Sequence, residues 1–143
     1  MKKYYIYILI FVVLVVFLGI KIYLSFDNFS FSFLSYNGFK INGNVIVDCY
    51  IEGENVVIPR VIDGIEIKEI GDYAFEGLNI DDVYIPDSVE KIGDYAFRRC
   101  LNLGSLKIPN SVTSIGMYAF SNCRSLAEVV IGDSVSSIGG SAF

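Results

Sequence analysis

Along the second half of the chain, apolar residues recur at positions i, i+3 and i+5: Ile80, Val83 and Ile85; Leu103, Leu106 and Ile108; Leu126, Val129 and Ile131. Each set is followed by a further apolar residue, Val89, Val112 or Val135, and then by an Ile-Gly-x-x-Ala-Phe run. That run stands at Ile70–Phe75, Ile92–Phe97, Ile115–Phe120 and Ile138–Phe143, at intervals of 22, 23 and 23 residues. The alternation within each i+3, i+5 stretch predicts a short strand with two side chains turned inward, ended by Pro86 or Pro109. Asp87-Ser88, Asn110-Ser111 and Asp133-Ser134 predict the turn that follows, and Val112 to Ile115 a second short extended piece. Gly116 is expected to supply a positive backbone angle at the corner, and Ala119 and Phe120 to fill the interior behind it. One such coil cannot bury its apolar face alone, so the coils must stack as a solenoid with strands about 4.8 Å apart.

The first part of the chain has a different pattern. Lys2 and Lys3 precede an apolar stretch from Tyr4 to Leu24 that only Lys21 interrupts. As a helix it would span about 31 Å, close to the ~30 Å hydrocarbon core of a bilayer. Tyr4, Tyr5, Tyr7 and Tyr23 suit the two interfaces, and Lys21 snorkels. Residues 1–24 are therefore read as a single-pass signal anchor with a cytoplasmic N-terminus and everything beyond it outside. The alternative is a cleaved signal peptide and a secreted product. No Ala-x-Ala follows the apolar run, although Ser30 and Ser32 have small-residue spacing. Residues 25–38 are a juxtamembrane segment whose Phe29, Phe31 and Phe33 alternate with serines, as an interfacial segment or as a first strand covering the solenoid's end.

The run Leu103-x-x-Leu-x-Ile-Pro-x-Ser-Val-x-x-Ile-Gly-x-Tyr-Ala-Phe120, followed by x-x-Cys, resembles the BspA-like leucine-rich repeats of microbial cell-surface proteins. The resemblance extends upstream. Val56 to Pro59, Asp63-Gly64 and Ile65 to Gly71 are similar to a widened first repeat, and Asn42-Gly43 within Phe39 to Tyr50 to an opening hairpin. It implies a mainly β leucine-rich-repeat solenoid behind the anchor, with the hairpin and widened repeat at residues 39–69 and the repeats at 70–143. Two departures stand out. The Cys position is read as deleted after Phe75, where Arg98-Arg-Cys100-Leu101 becomes Glu76-Gly77-Leu78, and the chain stops in mid-repeat at Phe143.

Composition narrows the function. All 16 acidic residues but only 8 of the 11 basic ones lie from Asp27 onward, which argues against a surface that neutralises nucleic-acid phosphates. The chain has no histidine, so the commonest general base, nucleophile partner and zinc ligand is missing. Cys100 and Cys123 share one repeat position and Cys49 lies in the hairpin, with no short-spaced pair to hold zinc. Stacked side chains point the same way, so two buried thiols are favoured over a Cys100–Cys123 disulfide. Asp81 and Asp82 are expected on a solvated face, without the apolar pocket that raises a catalytic acid's pKa. Asn28-Phe-Ser30 is a glycosylation sequon, meaningful only in a cell that glycosylates. No catalytic, metal or cofactor site is expected.

The acids are unevenly spread, with 13 acids and 3 bases between Asp48 and Asp94, against 2 acids and 4 bases from Tyr95 on. The family resemblance implies a non-catalytic cell-surface module for protein or glycan recognition. The expected partner-binding face is the ladder of outward strand positions Asp82, Tyr84, Ser105, Lys107, Glu128 and Val130. The alternatives are a structural envelope or spacer protein that self-associates through its C-terminal coil, since Val129, Ile131, Val135 and Ile138 have no polar cap after them, or a secreted fragment of a longer repeat adhesin.

Overall fold

The computed structural model describes residues 38–51 and 55–143. The anchor read at residues 1–24, the sequon and the phenylalanine-serine alternation lie outside them, as does the juxtamembrane segment apart from Gly38. Among the described residues no helix is long and apolar enough to cross a membrane.

The described chain is a stack of β coils. It opens with a hairpin, β1 (Phe39–Asn42) and β2 (Val45–Cys49). In its turn Gly43 has φ +59°, the geometry of hairpin turns that place glycine first. Then come β3 (Asn55–Val57), β4 (Val61–Ile62), β5 (Ile65–Glu66) and β6 (Glu69–Ile70). The widening of the first repeat is a small hairpin, β4 against β5, turning through Asp63 and Gly64, both at positive φ, as an Asp-Gly turn requires. Each later coil supplies one three-residue and one two-residue strand: β7 (Asp82–Tyr84) and β8 (Lys91–Ile92), β9 (Ser105–Lys107) and β10 (Ser114–Ile115), β11 (Glu128–Val130) and β12 (Ser137–Ile138). They build two sheets, in the orders β1-β2-β6-β8-β10-β12 and β11-β9-β7-β3. All pairings are parallel and in register except the two hairpins.

The core runs between the sheets. Val83, Ile85, Leu103, Leu106, Ile108, Val89, Val112, Ile92 and Ile115 are buried, as the periodicity predicts. A column of phenylalanines follows the axis: Phe75, Phe97, Phe120 and Phe143 stack with ring centroids 4.7, 5.2 and 5.3 Å apart. Phe39 of the hairpin meets Phe75 at 6.1 Å and is itself buried.

The corners correct two expectations. Gly116 is not at positive φ, and neither are Gly71, Gly93 and Gly139. The left-handed residues are Tyr73, Tyr95, Tyr118 and Ser141, two positions later, and then Gly77, Arg99 and Asn122. Their conformation turns alternate amides toward the next coil. Tyr95, Phe97 and Arg99 donate to the carbonyls of Met117, Ala119 and Ser121 at 2.9, 2.7 and 2.9 Å, while Arg98 and Cys100 close turns within their own coil. These hydrogen bonds offset the steric cost, about 1–2 kcal/mol, of each left-handed L-residue. The glycines serve close approach instead. A Cβ on Gly116 would stand 2.5 Å from the backbone of Gly93 and Asp94.

The second correction concerns the 22-residue interval. Leu78, Cys100 and Cys123 donate alike to the carbonyls of Phe75, Phe97 and Phe120, so Leu78 occupies the Cys column. Asn102 then bonds to Asn79 at 2.7 Å. The residue missing from the shorter repeat is therefore the counterpart of exposed Leu101, which lies in the turn closed by the Leu103 amide on the Cys100 carbonyl.

Candidate recognition surface

The six outward residues expected to form one face do so. The central residues of β7 and β9, Val83 and Leu106, are buried, while Asp82, Tyr84, Ser105, Lys107, Glu128 and Val130 are exposed. Tyr84 lies opposite Lys107, and Lys107 opposite Val130. Strand β3 adds a fourth rung that the sequence reading missed, with Asn55 opposite Asp82 and Val57 opposite Tyr84. Its signal was present: Val56-Val-Ile-Pro59 repeats the pattern of Leu106-Lys-Ile-Pro109. The face thus carries two columns along the solenoid axis, Asn55-Asp82-Ser105-Glu128 and Val57-Tyr84-Lys107-Val130. The second is mostly apolar and well exposed, at 65% for Val57, 59% for Tyr84 and 48% for Val130.

Charge is divided between surfaces. The three bases of the acid-rich half are tied to its acids away from this face. Arg60 reaches Glu66 at 2.8 Å and Asp87 at 2.9 Å, Lys68 reaches Glu66 at 3.1 Å and Glu90 at 3.0 Å, and Lys91 reaches Glu69 at 2.8 Å. Arg98 pairs with Glu76 and lies over the ring of Tyr95, 4.6 Å from its centroid. Lys68 and Arg60 hold the Glu66 carboxyl below its ordinary range, and Glu90 and Glu66 hold the Lys68 ammonium above its own. These pairs are exposed, and each contributes little by itself. On the sheet face, Asp81, Asp82, Lys107 and Glu128 form no ion pair with any described residue.

The remaining candidate groups serve stacking. Tyr73, Tyr95 and Tyr118 form a ladder with centroids 4.9 and 5.1 Å apart and nearly parallel rings, so they largely cover one another's faces. Asp72 and Asp94 accept the amides of Asp94 and Met117, one coil on, at 2.8 and 2.7 Å. The three cysteines are free thiols. Cys100 and Cys123 donate to the carbonyls of Phe75 and Phe97 at 3.1 and 3.2 Å, each one coil back. Burial pushes the Cys49 thiol up to about 11, and hydrogen bonding with Cys123 together with burial holds Cys100 above its usual range. The raised thiols of Cys49 and Cys100 are poor nucleophiles and behave as small apolar side chains, whereas hydrogen bonding with Cys100 holds the partly buried Cys123 thiol below its ordinary range.

Two stacked parallel sheets with one short strand each per coil define a leucine-rich-repeat solenoid. The profile of the BspA type leucine rich repeat region matches residues 68–143 in six copies, and the chain belongs to that family. Among solved structures it is similar to a leucine-rich repeat protein of T. pallidum, with 28% identity and a TM-score of 0.56 over 87% of this chain and 64% of that one. It also shares its fold with the pneumococcal vaccine antigen PcpA, with 20% identity and a TM-score of 0.53 over 73% of this chain and 38% of the antigen. The chain thus spans under two thirds of each of these proteins. No curated protein matches it.

Proposed function

We propose that this chain is a membrane-anchored cell-surface recognition module without chemistry of its own, anchored by residues 4–24, which displays its repeats outside the cell and binds a protein or glycan through the β3-β7-β9-β11 face. The observation that supports it is the four-rung ladder: exposed, part apolar, with carboxylates that pair with no described residue. Rigid presentation lowers the entropy lost on binding, and repetition along the axis extends the contact without new fold elements. A photoreactive residue at Ser105 on intact cells is expected to crosslink to a partner, and external protease is expected to remove that crosslinked domain. The same residue at Thr113, which faces away from the ladder, is expected to give none. Equal crosslinking from both positions, or full protection from external protease, would overturn the reading.

A second reading is self-association. Its support is an apolar cleft of about 300 Å³ lined by Phe120, Cys123, Leu126, Val129, Ile131 and Phe143 among others. Ile138 and Phe143 are each half exposed. The polypeptide ending at Phe143 is expected to sediment as a concentration-dependent oligomer at tens of micromolar (roughly the range of weak association). A polar capping coil appended to it should restore the monomer, and Lys107→Ala should not. A monomer at that concentration without the cap would sink this reading.

A further inference from the structure

The recognition reading leaves the partner's chemistry open, and three features of the face narrow it. The first is pitch. Rungs of a parallel sheet repeat about every 4.8 Å, so Val57, Tyr84, Lys107 and Val130 occupy a column about 14 Å long, running across the strands. A helix lying along that column presents one side chain per turn, at rises of about 4.5 Å for i+3 and 6 Å for i+4, and so keeps step with four rungs over roughly ten residues. An extended peptide along the same line repeats its side chains on one face about every 6.7 Å and loses step after one rung.

The second feature is charge. Asp82 and Glu128 border the apolar column on one side, with Asp81 beyond Asp82, and none of the three is paired with a described residue. Lys107, the one base on the face, stands within the apolar column itself. The third is the placement of aromatic rings. A sugar is commonly held against the open face of a ring, yet the ladder of Tyr73, Tyr95 and Tyr118 is stacked face to face away from this sheet. The sheet face itself carries a single ring, Tyr84.

We propose that the β3-β7-β9-β11 face binds an amphipathic polypeptide helix lying along the solenoid axis, with apolar residues over Val57, Tyr84 and Val130, an acidic residue over Lys107, and a basic flank toward Asp82 and Glu128. This rests on the recognition reading and deepens it. The apolar stripe supplies affinity, the carboxylates orient the helix and speed encounter, and Lys107 fixes the register, because a one-turn slide sets an apolar residue over its ammonium and the acid over Tyr84 or Val130.

The test uses the full chain in neutral maltoside micelles, with empty micelles as the blank. The probe is a rhodamine-labelled helical peptide of roughly 18 residues, long enough to hold a helix. It has leucines at the three apolar positions, glutamate at the position facing Lys107 and lysines along one flank. Fluorescence anisotropy should report binding above the blank that weakens about tenfold or more in the Asp82→Lys, Glu128→Lys double variant. It should also weaken several-fold at about 0.5 M salt, where charge is screened, and stay unchanged in Asp133→Lys, on the turn beyond the face. Lys107→Glu should weaken this peptide, and a peptide with lysine at the facing position should recover the loss. A peptide whose flanking lysines are exchanged for glutamate should not bind. Equal binding of both flank peptides, or binding indifferent to the double variant, would overturn the proposal. If the Ser105 crosslink persists while the peptide fails, the helix assignment falls and the recognition reading stands. Loss of both removes both.

Discussion

Replacing Phe97 by alanine is expected to cost the repeat domain about 3–5 kcal/mol, the range for emptying a buried aromatic site. Phe97 has no exposed surface and lies between Phe75 and Phe120, its ring centroid 4.7 and 5.2 Å from theirs. The truncation therefore removes two stacking contacts as well as apolar burial. The backbone cannot collapse into the space, because the amides of Phe75 and Phe97 and the carbonyls of Ala96 and Ala119 are committed to inter-coil hydrogen bonds of 2.8 and 2.7 Å. A small domain is stable by only about 5–15 kcal/mol, so a large share of that margin would be lost at one position. Because coils contact only their neighbours, the loss should also broaden the unfolding transition as the array divides on either side of Phe97. Phe143→Ala, at a half-exposed site with one stacking neighbour, should cost about 1 kcal/mol. Urea unfolding followed by circular dichroism measures both. A cost below about 1 kcal/mol for Phe97 would mean that the column is not a load shared along the axis.

The phenylalanine column was legible in the sequence because it is a one-dimensional property. Stacked coils place equivalent residues above one another, so a repeat of 23 residues becomes a column without any long-range information. The outward residues were legible for the same reason, since alternation about Val83 and Leu106 fixes which neighbours face water. What the sequence hid depends on relations between coils. The role of Gly116 was misread because a glycine consensus reads alike whether it answers a positive φ or a close approach, and only the position of Gly93 and Asp94 beneath it separates the two. The site of the deletion was misplaced because the equivalence of Leu78 and Cys100 lies in their turn hydrogen bonds, not in their side chains. Strand β3 was overlooked as part of the face because the β4–β5 hairpin lengthens its repeat and breaks the period. The segregation of charge was out of reach: Arg60 and Asp87 are 27 residues apart, a spacing set by the extra hairpin.

Gly116→Ala is the sharper test of how the coils meet. The added methyl group would sit 2.5 Å from the backbone nitrogen of Asp94 and the carbonyl carbon of Gly93, well inside van der Waals contact. Neither atom can move alone. Gly116 donates to the carbonyl of Ile92 at 2.8 Å, and the Asp94 side chain accepts the amide of Met117 at 2.7 Å, so relieving the clash separates two coils along an edge they share. Overpacking in a rigid core costs about 1–3 kcal/mol and occasionally more, and a clash between two backbones belongs at or above the upper end, about 3 kcal/mol. The backbone angle contributes nothing to this cost, because Gly116 does not occupy the left-handed region. Gly104→Ala provides the comparison: its nearest obstacle is the Asn102 carbonyl oxygen at 4.0 Å, so that change should be neutral, or stabilising by a few tenths of a kcal/mol through the unfolded chain. If Gly116→Ala unfolds at the same urea concentration as Gly104→Ala, the coils are not held at the separation that makes glycine obligatory. The repeated Ile-Gly pair would then need another physical cause.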